Sequence, residues 1–200
     1  DIVELTATAL SQAIHAREVS CVQVLDAYLA QIERLNPIVN AIVAPVDHEA
    51  LRAQAAERDT QLAQGHSLGP LHGFPQAPKD IMPAAGMVTT CGSPIFKDQL
   101  THTDAVAFER MRAGGALFIG RTNSPEFGLG GHTYNPVYGA TRNAFNPALS
   151  AGGSSGGAGV AVALRMLPVA DGSDMMGSLR TPAAFNNVYG FRTSVGRVPH

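Results

Sequence analysis

From Ser20 onward the chain places Val22, Leu25, Tyr28, Leu29, Ile32 and Leu35 at three- and four-residue intervals, which puts apolar side chains on one face of an α-helix. Ser20 and Gln23 form a capping-box pattern ahead of that stripe. A helix is therefore predicted over 21–35, ended by Asn36-Pro37 because the residue before a proline avoids helical backbone. A shorter helix is predicted from about Thr6 to Ala16. A third, rich in Ala, Gln, Glu and Arg, runs from Asp47 to Ala63, with Gly65 suited to its C-terminal cap. Between them Ile38–Val43 alternates and is β-branched, which reads as a strand ended by Pro45.

After Leu71 the pattern changes. Two prolines in LHGFPQAPKD exclude a helix and leave an edge or irregular strand, from which Lys79 emerges with Asp80 behind it. Residues 86–99 read as loop. Asp104 is placed as the cap of a helix reaching Ala113, closed by Gly114-Gly115. ALFIG at 116–120 reads as a buried strand, and Asn123-Ser124-Pro125-Glu126 as the start of a short helix. Further on, a helix is predicted over 157–167, strands at Pro168–Ala170 and Val188–Phe191, and a helical turn at Thr181–Phe185. Strands separated by helices imply an α/β fold with a partly parallel sheet.

Composition narrows the functional classes. At 200 residues, 45% apolar and 15% charged, the chain is an ordinary globular one with enough length for a core. A net charge of −2 with no local run of Lys or Arg offers no footprint for nucleic acid. No segment approaches the ~18 consecutive apolar residues of a membrane span, and DIVELTATAL lacks a secretory pattern, so a soluble cytoplasmic protein with no membrane partner is expected. Cys21 and Cys91 make no disulfide framework and read as buried or idle thiols. The seven histidines lie scattered without ligand spacing, so neither a metal nor a cofactor is expected.

The densest signal is AGGSSGGAG at 151–159. Glycine loses ~0.5–1 kcal/mol relative to alanine inside regular structure, so such a run needs a reason for backbone without side chains. A flexible linker is one reading, but the small apolar run that follows sets Ser154 and Ser155 at a helix N-terminus instead. A P-loop would need Gly-Lys-Ser/Thr, and a dinucleotide fingerprint would need a preceding strand; both are missing. Gly152, Ser154 and Gly156 match G-x-S-x-G, but that motif requires a strand before it and an Asp and a His after it. Asp171 or Asp174 would serve; the only later histidine is His200.

Taken together, GFPQAPKD, GRTNSPEF, GATRNAFNP, AGGSSGGAG, DGSDMMGSLRTPAAFNNVYGFR and SVGRVP, in that order from about Gly65 to Pro199, resemble the amidase signature family. The resemblance implies a mixed twisted sheet flanked by helices, expected to be incomplete here, with residues 1–64 as a helical region and 65–200 as the signature core, cut before the domain ends. It also implies a Ser-Ser-Lys triad: Lys79, Ser154 at the serine preceded by a cis peptide bond, and Ser178 as nucleophile. Backbone N–H groups of Met175, Met176, Gly177 and Ser178 would form the oxyanion hole, with Ser155, Ser173, Asp174 and Arg180 in support. The family usually has two glycines before the nucleophile; this chain has Met176 then Gly177.

The chemistry fits those residue types. A serine hydroxyl must lose its proton as it attacks, and a lysine kept neutral can take it. That requires lowering the amine from ~10.4 to ~7–8 by desolvation, which Phe74, Ala77 and Pro78 would provide, while Asp80 would oppose it unless strand alternation turns it away. The implied activity is hydrolysis of a linear carboxylic amide through an acyl-enzyme, acting on a small-molecule substrate. The alternatives are the glutaminase component of a tRNA-dependent amidotransferase, working with partner subunits, and a catalytically silent fragment. A homodimer is left open.

Overall fold

The computed structural model describes residues 1–198, so Pro199 at the end of SVGRVP and His200 lie outside the described residues. Three N-terminal helices, α1 (Ala7–His15), α2 (Cys21–Val39) and α3 (His48–Ala63), share one hydrophobic core with the sheet and with the helix after the glycine run, through Leu10, Ile14, Leu25, Tyr28, Leu51, Leu117 and Val160. The capping box of α2 forms as patterned: Ser20 Oγ accepts from Gln23 N at 3.0 Å, and Ser20 N donates to Gln23 Oε1 at 2.9 Å. Asp59 of α3 reinforces that end, accepting from Cys21 N and Val22 N. Burial pushes the Cys21 thiol up to about 12, which keeps it protonated and inert.

Three ribbons pair as two small two-stranded sheets, one parallel and one antiparallel. β2 (Pro75–Gln76) runs parallel to β3 (Leu117–Phe118), and the ribbon of β3 continues as β4 (Arg121–Thr122), antiparallel to β1 (Ile42–Val43). The β2 ribbon tolerates its prolines because it enters this ladder through acceptors: the carbonyls of Phe74, Gln76 and Pro78 receive N–H from Leu117, Ile119 and Thr122. A parallel bridge between Lys79 and Thr122 extends this ribbon to the lysine. Apart from it stands a small hairpin, β5 (Tyr134–Asn135) with β6 (Gly139–Ala140). The remaining helices are α4 (Val106–Ala113), α5 (Gly156–Ala163) and α6 (Arg180–Phe185).

Several expected boundaries are corrected. Helix α2 runs through Pro37 to Val39 instead of stopping at Leu35. Pro37 falls in the last turn, where Asn40 N donates to Asn36 O, and the Asn36 side chain accepts from Ala41 N and Ile42 N at 2.9 and 2.8 Å. One amide thus stitches the helix end to β1, which is left with two of the six residues expected for that strand. Asp104 does not cap α4; its cap is Ala105, and the Asp104 carboxylate reaches Ala85 N and Arg112 Nε at 2.7 and 2.9 Å. The expected short helix after Asn123 is a 3-10 turn over Glu126–Gly128. Helix α5 ends at Ala163, short of Leu167, because Arg165 turns at φ 56° and sends Met166 and Leu167 into the core. The strands expected at 168–170 and 188–191 do not form: Val169 O accepts from the Gln76 side chain, and Val188 N donates to Ala183 O.

Below the sheet a buried pair holds the ribbons together. Arg121, 0% exposed, donates to Thr89 Oγ1, Lys79 O and Met82 O, with Asp80 Oδ1 3.7 Å from its guanidinium. Removing one member of a buried ion pair strands the other charge and costs about 3–5 kcal/mol. Arg121→Ala in the intact protein is expected to lose that much stability, read as a lowered urea midpoint at constant m-value.

Candidate active site

Alternation along the β2 ribbon separates two neighbouring charges. Asp80 turns to one face, where its carboxylate accepts from Thr90 and sits by Arg121, while Lys79 turns to the other. There the Lys79 Nζ donates to Ser154 Oγ at 2.7 Å, Ser173 Oγ at 2.9 Å and Ser155 Oγ at 3.0 Å. Lys79 is 0% exposed, and Phe74 and Ala77 beside it in the chain are buried as well. Burial is the dominant cause lowering the lysine from 10.5 to about 7, with Asp171 and then Asp174 pulling it the other way.

The two serines of the glycine run reach the amine because α5 lies directly on the sheet. A Cβ on Gly157 would come within 2.4 Å of Asn123 N and 2.6 Å of Ala41 O, so only glycine allows this approach. The Gly153–Ser154 peptide is cis. Ser155 is the N-cap residue of α5 but makes no side-chain cap; its hydroxyl instead accepts from Ser173 N and from Lys79.

A loop over 171–179 closes the site. Ser155 N donates to Ser178 O at 2.9 Å, which fixes the half-buried Ser178 beside the buried serines. The Ser178 hydroxyl makes no hydrogen bond among the described residues, so Lys79, Ser154, Ser155 and Ser173 form one bonded cluster and Ser178 adjoins it through its backbone. Asp174 shapes the loop from inside, accepting from the N–H of Gly177, Leu179 and Arg180 and from the Arg180 guanidinium at 2.9 and 3.1 Å. Those bonds, the Arg180 side chain first among them, hold its carboxyl far below the usual range. Of the four N–H groups expected to face an oxyanion, that of Gly177 is given to Asp174 at 2.7 Å. Those of Met175, Met176 and Ser178 have no acceptor among the described residues.

Met176 also finds its explanation here. Gly177 has φ +116°, which side chains rarely adopt, whereas Met176 lies outside the positive-φ region and its residue is 87% exposed. One glycine is enough for this loop, and a methionine before it points outward.

A family model described as Amidase matches residues 23–200. The chain belongs to the amidase signature family. It is 40% identical over 195 residues to an acylamidase of Rhodococcus erythropolis, covering 98% of this chain and 41% of that protein. It is 40% identical over 194 residues to an indoleacetamide hydrolase of Bradyrhizobium diazoefficiens, covering 97% and 37%. A glutamyl-tRNA(Gln) amidotransferase component of Methylococcus capsulatus is 42% identical over 197 residues, covering 96% and 39%. Among solved structures the chain superposes on a bacterial aryl acylamidase of the amidase signature family with a TM-score of 0.92 at 36% identity, covering 98% of this chain and 40% of that one. The chain thus spans about two fifths of the length of the curated relatives it matches. Among the described residues no helix is long and apolar enough to cross a membrane, and no group of three or more His, Cys, Asp or Glu is placed to hold a metal ion.

One residue of this site escaped the sequence reading. Asp171, weighed only as a partner for an elbow serine, accepts from Lys79 N with both carboxylate oxygens, across 92 positions. A contact to backbone leaves no mark on the partner's side chain, so nothing local signals it.

Thermal unfolding checks the loop argument: Gly177→Ala is expected to cost at least about 1 kcal/mol, through strain at positive φ. Met176→Ala is expected to stay within about 0.5 kcal/mol of the wild type, as an exposed substitution.

Proposed function

We propose that this chain supplies the acyl-transfer centre of a hydrolase of linear carboxylic amides, with Ser178 as nucleophile and Lys79 acting on it through Ser154. The observation that carries the reading is the buried Lys79 amine, lowered to about 7 and bonded to Ser154 at 2.7 Å. At neutral pH a substantial fraction of such an amine is unprotonated and able to accept a hydrogen. An ordinary lysine near 10.4 is not.

In this reading the Ser178 oxygen attacks the amide carbon, its hydrogen passes to Ser154 Oγ, and the Ser154 hydrogen passes to Lys79 Nζ. The negative charge that develops on the carbonyl oxygen is met by backbone N–H of the 175–178 loop, where Met175, Met176 and Ser178 have theirs without an acceptor among the described residues. The protonated relay then returns a hydrogen to the leaving nitrogen, the C–N bond breaks, and an ester to Ser178 remains. Water attacks that ester by the same relay, releasing the carboxylate and restoring the serine. Ser155 and Ser173 hold the amine in place through their hydroxyls. Asp174, neutralised by Arg180, keeps the loop in register. A second reading, the glutaminase component of a tRNA-dependent amidotransferase, is favoured by the 42% identical amidotransferase relative. The exposed Met176 beside the nucleophile favours the free-standing amidase.

The test is hydrolysis of a panel of acyl amides, anilides and glutamine by the intact protein. Ser178→Ala and Lys79→Ala are each expected to lower kcat/KM by ~10³-fold or more. Turnover by Ser178→Ala equal to the wild type removes the proposed nucleophile, and glutamine cleavage that rises only with partner subunits present selects the second reading. In the wild type, kcat/KM is expected to fall about tenfold per pH unit below about 7, because the protonated lysine cannot accept a hydrogen.

A further inference from the structure

Lys79 is gripped at both ends by one tripeptide. Ser173 Oγ accepts from its Nζ at 2.9 Å, and two residues earlier Asp171 accepts its backbone N–H, with 3.3 and 3.2 Å to the two carboxylate oxygens. Gly172 between them makes the reversal compact, with Ser155 Oγ 3.0 Å from where its Cβ would stand. We propose that Asp171 is a positioning residue for Lys79, fixing its backbone from the same turn whose Ser173 holds its amine. The proposal rests on the reading of Lys79 as the base.

The distribution of charge around the amine singles this residue out. Two carboxylates face Lys79 from the loop, Asp171 and Asp174, and both favour the ammonium form. Asp174 is already engaged by Arg180 and three N–H groups. Asp171 receives a hydrogen bond from no other residue than Lys79 among the described residues. On the β4 side Arg121 donates to Lys79 O; burial pushes the Asp171 carboxyl up, while the Lys79 N–H and amine and then the Arg121 charge pull it back down, and Asp80 lies on the far face. Asp171 further lines a cavity of about 480 Å³ together with the apolar Val162, Pro168, Val169 and Leu179. Burial lowers the Lys79 amine, and a carboxylate on this side counters it.

The experiment follows the pH dependence of Ser178 labelling by a fluorophosphonate in the intact protein, which needs no knowledge of the natural substrate. Asp171→Asn keeps an oxygen acceptor for Lys79 N–H and removes the charge. Its acid limb is expected to move at least about one pH unit lower than the wild type, with a slower plateau. Asp171→Glu, which keeps the charge, is expected to hold the wild-type limb. A limb unmoved in Asp171→Asn, with labelling slowed equally at every pH, overturns the proposal and makes the contact purely structural. Should Asp171→Asn fail to accumulate folded, Asp171→Ser removes the charge in a smaller side chain and carries the same expectation. Failure of both assigns the carboxylate to the fold and also overturns it. A wild type that is not labelled at Ser178 removes the base assignment itself, an outcome distinct from an unmoved limb.

Discussion

Everything around the site serves one buried amine. Bringing a lysine from 10.5 to about 7 corresponds to a preference for the neutral form of about 5 kcal/mol relative to water. Desolvation is the larger influence and two carboxylates resist it, so the balance depends on keeping solvent out while leaving every N–H bonded. The fold meets both conditions by placing Lys79 at the end of a sheet ribbon and lowering a glycine-faced helix onto that sheet. The serines are close enough to bond only because Gly157 puts no Cβ between α5 and the backbone of Asn123 and Ala41.

The loop that carries Ser178 is built differently. Its path is imposed by Asp174, which collects the N–H of Gly177, Leu179 and Arg180 around one carboxylate, and not by packing of its own side chains. Met175 and Met176 are consequently exposed. Only Gly177, at φ +116°, is dictated by the backbone. A departure from the family's pattern at Met176 therefore leaves the course of the chain intact and changes what a substrate would meet.

What could be read in advance follows the range of the interaction involved. The α2 cap was legible because Ser20 and Gln23 are three apart, and the opposed faces of Lys79 and Asp80 because strand alternation is local. The cluster of Lys79 with Ser154 and Ser173 was legible only through the ordered set of family motifs, since no local pattern joins residues 75 and 94 positions apart. Boundaries failed where a side chain reached beyond its neighbours. Asn36 carries α2 past Pro37 by bonding Ala41 and Ile42, and Asp104 leaves its cap position for Ala85 and Arg112. The strands expected at 168–170 and 188–191 had the right composition, but found no ladder among the described residues.

The three neighbours of the Lys79 nitrogen are all hydroxyls, and a hydroxyl gives or takes hydrogen at the same oxygen. An ammonium donates to all three; a free amine donates to two and receives from the third. The heavy atoms need not move between those states, so each catalytic turn would cost rotation of light atoms alone. In the proposed relay, both ends of the transfer would then meet the same scaffold.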